Sequence, residues 1–283
     1  MIRKKQKFLS SRWKRRRKKI LFRTILYFVF VVSIILGLSS LSRAEFLSLK
    51  EIRIKGNEVL GAEEIRAIVV KETSKSFLKI FSRSNIFLYP GESIEAEILK
   101  KYKRASEAEV SLKGFSDLEI IIKERKPIGL WCGEESREMA EIEIKERESC
   151  FFLDETGYIF EAVGEDRVSE NFPKYFSADV QIADLPGEYI LITEDFQELN
   201  EFFTLLATLA VHPQKVFLNY PQAQVVFDKN FKLIFDLSDD LKKTFENLVT
   251  LISEPEFQKS EPFFIVFEYI DLGFGNKLLY KLR

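Results

Sequence analysis

A chain of 283 residues that is 46% hydrophobic and 31% charged, with 27 Phe, has enough apolar side chain for a packed core, which excludes a low-complexity or disordered protein. Its formal charge of −1 conceals a division: residues 1–19 hold eleven cations and no carboxylate, leaving 32 Lys plus Arg against 44 Asp plus Glu in the rest. With one His and two Cys, the ligands for a zinc site are too few.

From Thr24 to Ser42 no side chain ionises, and the stretch is dense in Leu, Ile, Val and Phe. At ~1.5 Å per residue, that length matches a hydrocarbon core of ~30 Å. Backbone groups in lipid must bond internally, so a transmembrane helix is expected over 20–42. The basic tail, 1–19, then places the N-terminus in the cytoplasm and the bulk of the chain outside it. Anionic lipid and topology account for the tail's cations without nucleic acid. Ser42-Arg43-Ala44 offers small residues to a signal peptidase, but the apolar stretch exceeds the ~7–15 residues of a cleavable signal, so an uncleaved anchor is expected.

Beyond the anchor, Leu49 to Asn57 alternates as a half-buried strand, and Gly61 to Val70 turns to helical spacing with Ile65, Ile68 and Val69 on one face. Lys71 to Ser84 reads as a loop with a short helix near Phe77 to Phe81. A second helix is expected from Ser93, as cap, to Tyr102, followed by strands Ala108 to Lys113 and Leu118 to Glu124.

Strands Ile128 to Cys132 and Phe151 to Asp154 bracket a charged insertion, Gly133 to Ser149. Cys132 and Cys150 flank it, either as a disulfide, permitted outside the cytoplasm, or as two buried thiols. A helix over Asp195 to Val211 is expected to be capped at Thr193 or Glu194. Strands follow at Val216 to Leu218, Ala223 to Phe227 and Lys232 to Asp236, then a helix, Asp239 to Ile252. The last hairpin pairs Phe264 to Leu272 with Lys277 to Leu282.

Catalytic chemistry finds no foothold. The lone His212 lies in a helix-ending His-Pro pair with no nucleophile-elbow motif, and neither Cys lies in a motif that would suit a membrane-anchored sortase-like enzyme. No phosphate-cradling glycine loop is present, and acidic pairs such as Glu134-Glu135 suit solvated faces. No catalytic, cofactor-binding or metal-binding residue is therefore expected. Asp154 and Gly157 read as parts of a turn.

The strand-helix-helix-strand-strand order directly behind an anchor resembles a POTRA domain. Glu124-Arg125-Lys126-Pro127-Ile128-Gly129-Leu130-Trp131 resembles the E-R-x-P-x-A-x-W junction of the FtsQ/DivIB bacterial cell-division family, with Gly129 where Ala is usual. Phe152 to Phe160 resembles that family's hydrophobic-D-x-x-G-x-hydrophobic-F hairpin. Tyr269 to Lys277 resembles its C-terminal I-D-L-R-F-x-N segment, with Gly273 where Arg is usual.

The resemblance implies an α+β protein: a single N-terminal transmembrane helix, a POTRA-like domain over 46–125 with a small mixed sheet and two helices, and a second α+β domain over 126–283 with a mainly antiparallel sheet and a C-terminal edge hairpin. It implies a non-enzymatic divisome scaffold at the septum that binds FtsB/FtsL-like bitopic division proteins, with no small-molecule substrate. Strand addition to the last hairpin is the expected mode, through Tyr269, Ile270, Asp271, Leu272, Phe274, Lys277, Leu278, Leu279 and Tyr280; core packing is the alternative role for these residues. A POTRA-based accessory of export or envelope assembly is the alternative function.

Overall fold

The computed structural model describes residues 11–77, 81–133, 150–164, 172–177, 185–228, 231–257, 262–274 and 277–283. The insertion expected between the cysteines, apart from Gly133, lies outside them, as do the turn residues Lys229, Asn230, Gly275 and Asn276. The architecture is mixed α+β, with one N-terminal apolar helix and sheets of mixed orientation. It divides into two compact units, Met1–Lys101 with Glu107–Lys123 and Tyr102–Ser106 with Glu124–Arg283.

The first unit begins with α1 (Ser11–Ser42), which is long and apolar enough over Arg16–Ser42 to cross a membrane, with a mean hydropathy of 2.4. A 3-10 turn (Glu45–Leu47) leads to β1 (Glu51–Lys55), where Ile52 and Ile54 alternate with exposed charges. There follow α2 (Ala62–Ser74), the short pair β2 (Ser76–Phe77) and β3 (Phe81–Ser82), α3 (Gly91–Lys101), β4 (Ala105–Lys113) and β5 (Asp117–Glu124). The sheet order is β1-β5-β4, with β1 parallel to β5 from Glu51↔Asp117 to Lys55↔Ile121. The β-branched run places Leu118, Ile120 and Ile122 in the core, and α2 and α3 bury Ile65, Ile68, Val69, Ile94 and Ile98.

Three expectations fail here. Helix α2 runs on to Ser74 instead of ending at Val70, because Glu72 is buried and ion-paired with Lys75 (2.6 Å). Of the short helix expected near Phe77 to Phe81, residues 78–80 lie outside the described ones, and its two ends are strand instead: β2 and β3 pair antiparallel, Phe77 opposite Phe81. Ser93 is not a cap, since α3 already starts at Gly91 and Pro90 O accepts from Ile94 N (3.0 Å).

The second unit is built on one nine-stranded sheet. Its strands are β6 (Gly129–Trp131), β7 (Phe151–Leu153), β8 (Ile159–Ala162), β9 (Lys174–Ser177), β10 (Pro213–Asn219), β11 (Gln222–Phe227), β12 (Lys232–Asp236), β13 (Phe267–Phe274) and β14 (Lys277–Leu282). Their spatial order is β14-β13-β12-β11-β10-β9-β6-β7-β8. Five neighbouring pairs are antiparallel, and β12–β13, β10–β9 and β6–β9 are parallel.

Helices α4 (Thr193–Ala207) and α5 (Leu241–Ile252) cover one face of this sheet; a short α6 (Phe263–Val266) precedes β13. Phe196, Leu199, Phe202 and Leu206 of α4 and Leu241 and Leu248 of α5 join Val216, Leu218, Val225, Leu233, Phe235 and Ile270 of the strands in one core. Each such large side chain contributes about 2 kcal/mol by leaving water. Helix α4 stops at Ala207, short of Val211, because Ala210 is left-handed (φ 57°) and Val211 turns into the core; Ile192 precedes the helix without a side-chain cap, so neither Thr193 nor Glu194 serves as one. Asp240 does cap α5, its carboxylate accepting from Lys242 N (3.0 Å) and Lys243 N (3.2 Å).

Candidate partner-binding edge

The two ends of the nine-stranded sheet differ. At the β8 end, the segment at residues 187–190 covers the backbone where the strand begins: Ile159 N donates to Glu188 O (2.8 Å), Gly187 N to Ile159 O (2.9 Å) and Ile190 N to Gly157 O (3.0 Å). At the other end, β14 pairs with β13 alone, and among the described residues no strand lies on its outer side. An unpaired row of N–H and C=O groups is a template for another strand.

Which groups point outward follows from the ladder. Arg283 N donates to Val266 O (3.0 Å), so the Arg283 N–H faces β13. The register shifts at Phe267/Tyr269 and at Asp271/Phe274 each place their extra residue on β13, so the count along β14 runs without a gap. Alternation then turns the N–H and C=O of Leu282, Tyr280 and Leu278 away from β13 and those of Leu279 toward it. Side chains of the three outward-bonding residues share the core side of the sheet, where Leu278 packs on the core and the Tyr280 ring meets Phe257 and Phe267 edge-on (5.6 and 5.5 Å).

The nine residues expected to make the contact fall into separate groups. Ile270 and Leu272 are buried in the core and are not contact residues, because their strand face packs under the helices. Phe274, Leu279 and Tyr280 are exposed by 56%, 50% and 43%, and Lys277 is exposed. Tyr269 and Asp271 are half-buried and pair with Lys281 and Leu279, while Leu278 is half-buried against the core. The structure thus brings Phe274, Lys277, Leu279 and Tyr280 to the edge and adds Leu282, whose exposure at the chain's last strand position the nine had omitted. Alternation along β14 carried that signal.

Charges border this edge. Lys281 Nζ lies 2.7 Å from Glu268 Oε2, and its hydrogen bond holds the Glu268 carboxyl below its usual range, while Glu268 holds the Lys281 ammonium above its own. Asp271 Oδ1 accepts from Gly273 N (3.0 Å), so the residue standing where the family has Arg contributes backbone alone.

The motif residues further back do structural work. Arg125 forms an ion pair with the buried Asp154 and lies over the Tyr158 ring (4.1 Å). Asp154 also accepts from Thr156 N (2.8 Å), Thr156 Oγ1 (2.6 Å) and Tyr158 N (3.1 Å), and Gly157 completes the turn at φ 80° with Phe196 packed where a Cβ would stand. Gly129, where the family motif has Ala, lies so close to Tyr175 that a Cβ would sit 2.6 Å from the ring. Burial also pushes the Tyr175 hydroxyl pKa up. Cys132 and Cys150, at the facing ends of antiparallel β6 and β7, form a disulfide (S–S 2.08 Å).

Among the described residues no group of three His, Cys, Asp or Glu is arranged to hold a metal ion. A cleft of about 910 Å³ between α4 and the start of α5 is lined by Asp195, Glu198, Glu201, Asp239 and Asp240, together with Thr204, Ser238 and Lys242. These features define a mixed α+β protein with an N-terminal helix long and apolar enough to cross a membrane and, among the described residues, a nine-stranded sheet whose outer strand β14 is paired on one side only. Comparison with known proteins finds no family model that matches the chain and no curated protein that matches it.

Proposed function

We propose that the protein is a membrane-anchored, non-enzymatic binding component of the bacterial division machinery, of the FtsQ/DivIB kind. In this reading α1 crosses the membrane with the basic tail in the cytoplasm, the first unit is POTRA-like and serves recruitment, and the second unit binds FtsB/FtsL-like bitopic partners outside the cytoplasm. The observation that carries it is the contrast between the two sheet ends: the start of β8 is covered by residues 187–190, while among the described residues no strand lies on the outer side of β14. A partner segment adds to β14 as a further strand, backbone bonds giving affinity and side chains beside Leu279 and Tyr280 giving selection. The joined motifs Arg125 and Asp154, brought into one ion pair, support the family resemblance because each motif completes the other.

A fluorescent fusion of the full chain in its own cell tests the division reading. Enrichment at midcell is expected; uniform envelope signal throughout the cell cycle overturns it in favour of an export or assembly accessory.

A further inference from the structure

The first unit has an apolar rim at the end of α1. Three chain segments meet there through backbone hydrogen bonds: Ile86 N to Leu47 O (2.9 Å), Leu49 N to Ser84 O (2.9 Å) and Lys50 N to Ser116 O (2.9 Å). Each carries a phenylalanine that the fold leaves in the open, Phe46 (68% exposed), Phe87 (78%) and Phe115 (91%). A Phe at a turn has no local reason to be there, and three on separate segments at one end of a unit form a patch of the kind that marks an interaction site.

The same end is fastened to the apolar helix. The Asn85 side chain, itself buried, donates to Ser42 O (3.1 Å), Ser82 N donates to Ser42 Oγ (3.4 Å), and Ser39 and Ser42 are buried while Arg16 to Phe30 of α1 are exposed. Helix and rim are therefore one body, not two parts joined by a linker. Because the apolar run ends at Ser42, the boundary of the hydrocarbon falls there, and the headgroup layer extends a further ~6 Å. Phe46 follows only four positions later, and Phe87 and Phe115 each lie one residue from a bond that joins their segment to residues 47–50. Arg43 and Lys50 are exposed on or next to the first of these segments, and Arg83 is half-buried nearby.

We infer that this rim is a lipid-binding surface: Phe46, Phe87 and Phe115 insert into the outer headgroup layer, with the neighbouring cations on lipid phosphates, so that the first unit stands on the membrane in a fixed orientation. The occupant is argued from continuity with α1: the segments that carry the three Phe are bonded to Ser42 or to residues 47–50 directly after it, within reach of the headgroup layer at the end of a spanning helix. The inference rests on α1 crossing the bilayer.

The test uses the full chain in phosphatidylcholine vesicles, with Trp introduced one position at a time as F87W, F115W, V59W or Y27W and the wild-type emission of Trp13 and Trp131 subtracted. Val59 follows the far end of β1 and is exposed by 46%, so it serves as the solvent control. Lipids brominated near the headgroup are expected to quench F87W and F115W roughly twofold more than V59W, with emission shifted to the blue. If Y27W is quenched by mid-chain bromine while F87W and F115W behave like V59W, the rim is overturned and the span stands. If Y27W is not quenched either, both fall.

Discussion

Leu282→Pro is the sharpest perturbation of the proposed edge. Leu282 is the residue of β14 whose outward N–H follows most directly from an observed bond, that of its neighbour Arg283 to Val266. Proline removes the outward donor and places a ring where a partner backbone would lie, but breaks no bond between β14 and β13. Leu279→Pro lacks this property, since the Leu279 N–H faces β13, and deleting Lys277 to Arg283 would strip Leu278 and Tyr280 from the core. A partner strand on Leu278, Tyr280 and Leu282 would gain about six bonds worth ~1 kcal/mol each, and the substitution forfeits about two of them. The expected loss is ~2 kcal/mol, a Kd about 30-fold weaker, with unfolding free energy within ~1 kcal/mol of wild type. Titration of an FtsB-like partner measures the first and urea unfolding the second, with Leu282→Ala controlling for the side chain. A folded Leu282→Pro protein that binds this partner as tightly as wild type refutes strand addition at β14.

Two further outcomes concern stability. Replacing Cys132 and Cys150 together by Ser opens a loop of sequence separation 18 and should cost ~3 kcal/mol on the chain-entropy account, read as a lower urea midpoint that reductant no longer changes. The Glu119 carboxyl, held by hydrogen bonds from Lys55 (2.6 Å) and then Lys113 (3.4 Å), titrates below its ordinary value of 4.5. A depressed carboxyl stabilises the fold above its unfolded pKa, and the benefit is lost as pH falls through the lower folded value. Glu119→Gln should therefore flatten the acid limb of the first unit's stability below pH 4.5; an unchanged limb would show that the lysine pair does not govern it.

How far the sequence discloses this molecule depends on the range of the signal. The apolar helix is legible because composition alone decides it, β1, β11 and β12 because a period of two shows within one strand, and β5 because its β-branched run does. Strand β9 escapes: Lys174 to Ser177 is four residues with Tyr175, Phe176 and Ser177 all buried, and its place between β10 and β6 is set by residues far away in sequence. The apolar run near Phe77 is ambiguous between helix and strand for the same reason of length. At the candidate edge, alternation says that Ile270 and Leu272 share a face, but the packing of α4 and α5 decides that this face is the buried one. The Arg125–Asp154 pair joins two motifs that sequence reading kept apart, and so their roles emerge only in three dimensions.

An open edge invites pairing with a second copy of itself, and the charges on β14 argue against that. In an antiparallel pair of β14 strands centred on Leu279, Lys277 faces Lys281; centred on Tyr280, it faces Arg283. Like charges directly opposite destabilise a sheet by a few tenths to ~1 kcal/mol per pair, and each register has two such pairs by symmetry. Edge lysines are also a common guard against aggregation, while a partner with carboxylates at those rungs would gain what a second copy loses. Replacing Lys277 and Lys281 by Ser removes the guard from both registers and, with Lys281, the ion pair to Glu268. The double variant is expected to self-associate in detergent at concentrations where wild type is monomeric, read by light scattering, and the addition of Leu282→Pro should restore the monomer. A double variant as monomeric as wild type at every concentration would mean that the β14 backbone is not available for pairing, and would count against partner addition there as well.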